Sequence, residues 1–312
     1  MNLVGVVLAG GASRRFGTDK LCATVDGTPL VARVARALGG AASEVWISVE
    51  SESHARALMP LLPDTVHPVI DREEFRGIGP LAGVATALLE LEGRDVLFLP
   101  GDMPWVPPEA LSRLVSAAGD VRLQVASPLQ ADGFVDTLVL LVRAGGARRL
   151  LASLRSPQLL PPRSSEVIRS SERAGLVPRA LLTQEPGDFG NINTPEALAG
   201  GPLHGNTTPH SSPSVPSGVG AETSEVRPLK IPPAAPRAYW EAREFLARGE
   251  TARAVSLFVT EADLYRDLGI SLLEYHALTD ALLARGSASD TDPGLKARRE
   301  ALKRSWPAEG SP

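Results

Sequence analysis

Short apolar runs alternate with stretches of helical spacing through the first 200 residues of the chain. Val4–Leu8, Val45–Val49, Val66–Ile70, Val96–Leu99, Leu123–Ala126 and Leu138–Val142 have the length of strands, and most are rich in Val, Ile and Leu. Near-continuous apolar runs of this kind suit strands covered on both faces. Between them, Leu30–Leu38, Ala55–Leu62, Leu81–Leu91 and Glu109–Ala118 have helical composition or spacing, with Pro29, Pro80 and Pro107 near their starts. Strand and helix in alternation predict an α/β sandwich, in which a mostly parallel sheet is joined by helical crossovers.

The pattern stops near Gly200. Residues 201–236 are dominated by Gly, Pro, Ser and Thr and offer little to bury, so a flexible linker is expected there. From about Arg237 to residue 290, Tyr239, Trp240, Phe245, Leu257, Phe258, Tyr265, Leu272 and Leu278 recur at three- and four-residue spacing. This predicts a small helical module whose aromatics form a core. Residues 291–312 are charged and Pro-containing, and are expected to be disordered.

Composition narrows the function. A net charge of -4 with 22% charged residues gives no bulk cationic field for nucleic acid or an anionic bilayer, so anion binding must be local. No apolar run approaches the ~20 residues of a membrane span. The lone Cys22 permits neither an intrachain disulfide nor a CxxC site, which fits a reducing cytoplasm, and it reads as a small packing residue. The five histidines form no HxxxH or HExxH arrangement, and there is no GxSxG.

Chemistry concentrates where the first strand runs into Leu8-Ala-Gly-Gly-Ala-Ser-Arg-Arg-Phe-Gly-Thr-Asp-Lys20. Gly10 and Gly11 allow close approach of backbone amides to phosphate oxygens, while Arg14, Arg15 and Lys20 offset polyphosphate charge. The spacing is neither that of a Walker loop nor GxGxxG. Asp102 follows the run Val96–Leu99, at the carboxyl end of a strand, where open α/β sheets place ligands and where a carboxylate can hold Mg²⁺. Asp71 also ends a strand, and Gly79, Pro80 and Gly83 open a helix. Asn191 and Asn193 alternate along an extended run ahead of a Thr-Pro-Glu helix cap, so both amides can point to one face.

The loop resembles the signature LAGGxSxRMGxDK of the molybdenum cofactor guanylyltransferases, with Phe16 in place of Met. The resemblance extends in order through Val69-Ile-Asp71 with Gly79-Pro-Leu-Ala-Gly83, Leu99-Pro-Gly-Asp-Met-Pro104 and Asp188-Phe-Gly-Asn-Ile-Asn-Thr-Pro-Glu196, covering residues 1 to about 198. It implies a Rossmann-like, three-layer nucleotidyltransferase domain. It further implies nucleotide binding by Leu8, Ala9, Gly10, Gly11, Lys20, Asp71, Gly79 and Asp102, with Mg²⁺ on Asp102. Arg15, Lys20 and Asp102 are the expected catalytic residues, and Asn191 and Asn193 are candidates for the acceptor side or for a metal-bound water. Where relatives carry His-Pro or a similar pair between Gln130 and Leu141, Val135 and Asp136 stand here, and Glu50 takes a position where relatives place an Asn. The implied reaction moves GMP from GTP to molybdopterin. The loop does not itself read the base, so transfer of CMP to the pterin, or of a nucleotide to a sugar phosphate, stays open. A non-catalytic nucleotide-binding adaptor is the rival of a different class. The helical module can dock on its own enzyme domain, self-associate or grip a protein partner.

Overall fold

A computed structural model of the 312-residue chain describes residues 2–10, 19–156, 158–194, 198, 227–285 and 292–306. The strands are β1 Leu3–Leu8, β2 Thr24–Val25, β3 Thr28–Pro29, β4 Glu44–Val49, β5 Val66–Ile70, β6 Asp95–Pro100, β7 Val125–Leu129, β8 Leu140–Val142, β9 Ala174–Pro178 and β10 Leu229–Lys230. Through the first part of the chain the helices are α1 Leu30–Gly39, α2 Glu52–Leu58, α3 Leu81–Glu90, α4 Pro108–Asp120, α5 Arg148–Leu154, α6 Glu166–Arg169 and α7 Arg179–Leu182. Four longer helices follow: α8 Ala234–Ala247, α9 Thr251–Asp267, α10 Ser271–Ala284 and α11 Pro293–Ser305.

Eight strands form one sheet in the order β10-β9-β7-β8-β6-β1-β4-β5, parallel except where β8 meets β6 and β7 and where β10 meets β9. This is the expected mostly parallel α/β sheet. Strand β1 lies inside it, third from the β5 edge, and the register sets Leu8 beside both Ser48 of β4 and Pro100 of β6. The carboxyl ends of these strands therefore stop level with one another, on either side of the position where strand order reverses, which is the place for a ligand crevice in such a sheet. Side chains alternate across β1: Val4, Val6 and Leu8 join one apolar core, and Leu3 and Val7 the other. Both faces are covered, which is why β1 reads as an unbroken apolar run.

Several boundaries differ from those expected. The strand expected at Leu123–Ala126 is β7, two residues later, and β8 covers only the end of Leu138–Val142. Helix α2 starts at Glu52 because Ser51 caps it through His54 N, and Met59–Leu61 tightens into a 3-10 turn. Cys22 is exposed and not a packing residue, since it sits in a short 3-10 turn that buries Leu21 instead.

The largest difference lies past residue 226. The expected linker 201–236 ends early: Leu229–Lys230 pairs antiparallel with β9, and α8 begins at Ala234. The expected disordered tail contains α11, capped by Asp292 through Leu295 N, with Trp306 buried behind it. The C-terminal helices also share the main core: Tyr265, Leu272, Leu273 and Leu278 pack in the same cluster as Val4, Val6 and α3. A buried ionic cluster fastens them. Arg169 of α6, fully buried, donates through Nε and Nη2 to both oxygens of Glu261 at 2.8 Å each and through Nη1 to Asp280 at 2.7 Å. Burial alone pulls the Arg169 guanidinium down, and the two carboxylates overcome it. Burial would likewise raise Asp280, but Arg169 and Arg163 together hold it below the usual carboxylate range. Tyr239 Oη donates to Glu166, and Trp240 Nε1 to the Ser170 carbonyl, at 2.9 and 3.0 Å.

Candidate active site

Of the expected site residues, Leu8, Ala9, Gly10, Asp71 and Asp102 stand at the carboxyl ends of β1, β5 and β6. Backbone bonds set the frame: Ala9 N donates to the Ser48 carbonyl, Gly101 N to the Leu8 carbonyl and Asp71 N to the Val49 carbonyl. Two carboxylates are thereby fixed one residue beyond β5 and two beyond β6. The loop from Gly11 to Thr18, with Arg14 and Arg15, lies outside the described residues. Its two anchors are described. Gly10 passes so close to Asp71 that a Cβ there would stand 3.7 Å from Oδ2, and Asp19 caps the 3-10 turn Lys20–Cys22.

Lys20 Nζ stands 2.6 Å from Asp102 Oδ2 and 3.5 Å from Asn193 Oδ1. The Lys20 and Asp102 side chains are 21% and 18% exposed, enough to be reached from solvent yet partly desolvated. The segment carrying Asn193 is registered on Asp102 itself, because Ile192 N donates to the Asp102 carbonyl at 2.9 Å. Three chain segments separated by more than 80 and 170 positions thus meet at one ammonium.

Asp71 forms a second focus. Burial pushes its carboxyl up; the Ser48 hydroxyl, donating at 2.8 Å, works against that, and the Glu50 charge adds to the rise. Ser48 was not among the expected residues, yet its place on β4 beside Leu8 is what positions Asp71. Glu50, set aside in the sequence, is close enough for its charge to be felt at Asp71. His54 Nε2 lies 2.7 Å from Asp19 Oδ2, tying α2 to the end of the loop. A polar serine at an inward position of an apolar strand is a readable signal, whereas the His54 contact needs the fold.

Gly83 explains a small residue in the first turn of α3. A Cβ there would meet Ser48 Oγ at 2.5 Å. Gly83→Ala is expected to displace that hydroxyl from Asp71 and cost about 1–3 kcal/mol of stability through overpacking. Thermal unfolding together with a nucleotide titration checks this, and a variant as stable and as tightly binding as wild type would contradict it. Gly79 adopts φ +62°, a left-handed turn that brings its backbone to the cleft.

A cavity of about 600 Å³ opens beside Asp102 and is lined by Gly79, Asp102, Asn191, Phe134, Asp136 and Arg163, among others. Gly79, Asp102 and Asn191 therefore line one cavity. Val135 and Asp136, at the positions departing from the family pattern, also border it. Asp136 is held by both arms of the Arg179 fork at 2.7 Å each; burial pushes its carboxyl up and Arg179 opposes the rise. A larger cavity of about 960 Å³ lies between Gln130, Arg179 and Arg266, and neither Lys20 nor Asp102 lines it. The smaller cavity is the chemically relevant one, because it holds the reachable carboxylate.

His276 of α10 borders the same cavity. Its Nδ1 lies 2.7 Å from Ser165 Oγ, and burial, with Arg163 and Arg169 adding to it, lowers its pKa from 6.5 to about 3. A histidine depressed in the fold contributes stability that is complete above its unfolded pKa and lost as pH falls from 6.5 toward about 3. Imidazole NMR is expected to show His276 neutral down to about pH 4; a titration midpoint near the ordinary value would contradict the burial.

The donor set fits a hard divalent cation. Asp102 offers one carboxylate at a cleft mouth, and Mg²⁺ takes one or two carboxylates and fills its remaining positions with water and phosphate oxygens. Among the described residues no helix is long and apolar enough to cross a membrane.

Comparison with known proteins shows the family. Residues 5–174 match the family model of the MobA-like NTP transferase domain. A molybdenum cofactor guanylyltransferase of Rhodobacter capsulatus is 30% identical over 203 residues, covering 64% of this chain and 94% of that protein. A probable molybdenum cofactor guanylyltransferase of Geobacillus sp. (strain WCH70) is 37% identical over 119 residues, covering 38% of this chain and 59% of that protein. In fold, the crystal structure of molybdopterin-guanine dinucleotide biosynthesis protein A from Archaeoglobus fulgidus superposes with a TM-score of 0.52 at 22% identity, covering 63% of this chain and 95% of that one. With the family match spanning more than half its length and one relative covered almost end to end, the chain belongs to the MobA-like NTP transferases and is a nucleotidyltransferase.

Proposed function

We propose that this chain binds Mg·GTP and transfers GMP to the terminal phosphate of molybdopterin, forming molybdopterin guanine dinucleotide and releasing pyrophosphate. The observation that carries this reading is the Lys20–Asp102 pair, whose aspartate lines a cavity large enough for a heterocyclic acceptor. The guanylyltransferase names of the relatives supply the base and the acceptor.

An oxygen of the acceptor phosphate attacks the α-phosphorus of GTP in line; a new P–O bond forms there as the bond to the β-phosphate bridge breaks, and pyrophosphate leaves with the electron pair. The acceptor is already anionic, so no strong general base is required. The difficulty is bringing two anions together, and positioned cations lower that barrier. Lys20 places an ammonium against the reacting phosphates, and Arg15 would add a guanidinium from the loop. Gly10 and Gly11 would offer backbone amides to the triphosphate, with Leu8 and Ala9 fixing where the loop leaves the sheet. Asp102 would hold Mg²⁺, which when bound neutralises phosphate oxygens and orients them. Asp71 and Gly79 would border the nucleoside, and Asn191 and Asn193 the acceptor side.

Incubating the purified chain with Mg²⁺, molybdopterin and each α-labelled NTP tests the reading. Label from GTP should appear in a pterin dinucleotide with stoichiometric pyrophosphate, and equal or better use of CTP would overturn the base assignment.

A further inference from the structure

The cavity beside Asp102 is built on two parts of the chain. Gly79 and Asp102 lie within the family match, while Leu272 and His276 come from α10, beyond it. Other wall residues are held from the C-terminal side. Phe134 packs edge-on against Trp306, with centroids 5.8 Å apart, and Trp306 in turn meets Tyr275 at 5.0 Å and donates from Nε1 to Ser271 Oγ. Arg163 donates to Asp280 of α10 at 2.5 Å. The loop carrying Phe134 is locked to the start of α10: Ser271 Oγ donates to the Asp132 carbonyl, and a Cβ on Gly133 would come within 2.2 Å of the Gly269 carbonyl. These contacts join the helices to this wall at Phe134, Gly133 and Arg163.

We propose that the C-terminal helices form one wall of the acceptor subsite, with Leu272 and His276 facing a flat, phosphorylated heterocycle and Trp306 acting as a positioning residue for Phe134. The occupant follows from the lining. Phe134, Leu272, Pro161 and Pro162 suit the faces of a planar ring; neutral His276 and the Arg163 guanidinium suit its polar edge and an anionic group; and the same cavity is lined by Asp102, beside which the acceptor phosphate must arrive. This rests on the transfer reaction proposed above, and it makes the extension part of acceptor recognition and not an appendage.

The test uses the full chain. In steady-state guanylyl transfer, Leu272→Gln and Trp306→Ala should each raise KM for molybdopterin roughly tenfold or more by spoiling an apolar contact, with KM for GTP changed less than about twofold. Hydrogen exchange of the wild-type chain with molybdopterin alone should slow across residues 271–284, which GTP alone should not do, so the test survives a variant that fails to fold. An unchanged acceptor KM in a folded variant, or no protection of the wild-type helix, would overturn the proposal. A wild type that is protected by molybdopterin yet transfers no nucleotide would overturn the reaction instead, leaving the binding surface in place.

Discussion

Asp102→Ala is expected to lower kcat/KM for nucleotidyl transfer by roughly 10²–10³-fold or more, the scale of losing a preorganised electrostatic group at a transition state. The fold should survive. The Asp102 side chain is partly exposed and its pair with Lys20 is near the surface, where ion pairs contribute only about 0–1 kcal/mol. The bond that registers the segment from Asn191 to Asn193 is accepted by the Asp102 backbone carbonyl, which the substitution keeps. Lys20→Ala should lose activity on a similar scale without lowering the melting temperature appreciably. Rates under saturating Mg²⁺ and GTP, beside thermal unfolding curves, separate the two effects. Full function in cells with Asp102→Ala would favour a nucleotide-binding adaptor over an enzyme.

The second large effect is on stability. Arg169→Ala would strand Glu261 and leave Asp280 with Arg163 alone, deep in the protein. Breaking a buried ion cluster by removing one partner costs about 3–5 kcal/mol, because an uncompensated charge stays buried. That is a large share of the roughly 5–15 kcal/mol by which a domain is folded. A charge-free replacement of Arg169, Glu261 and Asp280 together should cost less, since no fully buried charge of the cluster is then stranded and Arg163, which loses Asp280, still reaches solvent. Truncation after Gly200 removes Glu261 and Asp280 and uncovers the apolar surface around α3 and α6, so the shortened chain is expected to be insoluble or molten. Denaturant unfolding of the variants and the solubility of the truncated chain check this; a folded, active truncation would contradict the shared core.

What the sequence could say followed from local physics. The strand β1 was legible because both its faces are buried, and the segment after it stood out as a candidate for phosphate binding because Gly10, Gly11 and the cations lie within one short stretch. Asp71 and Asp102 were legible because a carboxylate just past an apolar run falls at the carboxyl edge of a parallel sheet. Contacts made across sequence distance were not legible. Ser48 gains its role only when β4 lies beside β1, and Phe134 gains its support only when Trp306, 172 positions later, folds back on it. The stretch before α8 read as linker because Leu229–Lys230 is too short to show a strand period; it pairs because β9 offers an edge. The tail read as disordered because its helix is strongly charged, and the partners of those charges, such as Asp263 and Glu274 for Arg298, lie on other helices.

The central claim is that one cleft brings a nucleoside triphosphate to Lys20 and Asp102. A crystal structure of the full chain with Mg²⁺ and a non-reacting GTP analogue tests it most directly. The triphosphate should lie within hydrogen-bonding reach of Lys20 Nζ, with a cation bridging its oxygens to Asp102. Nucleotide bound instead in the larger cavity between Gln130, Arg179 and Arg266, with the Lys20–Asp102 pair untouched, would contradict it.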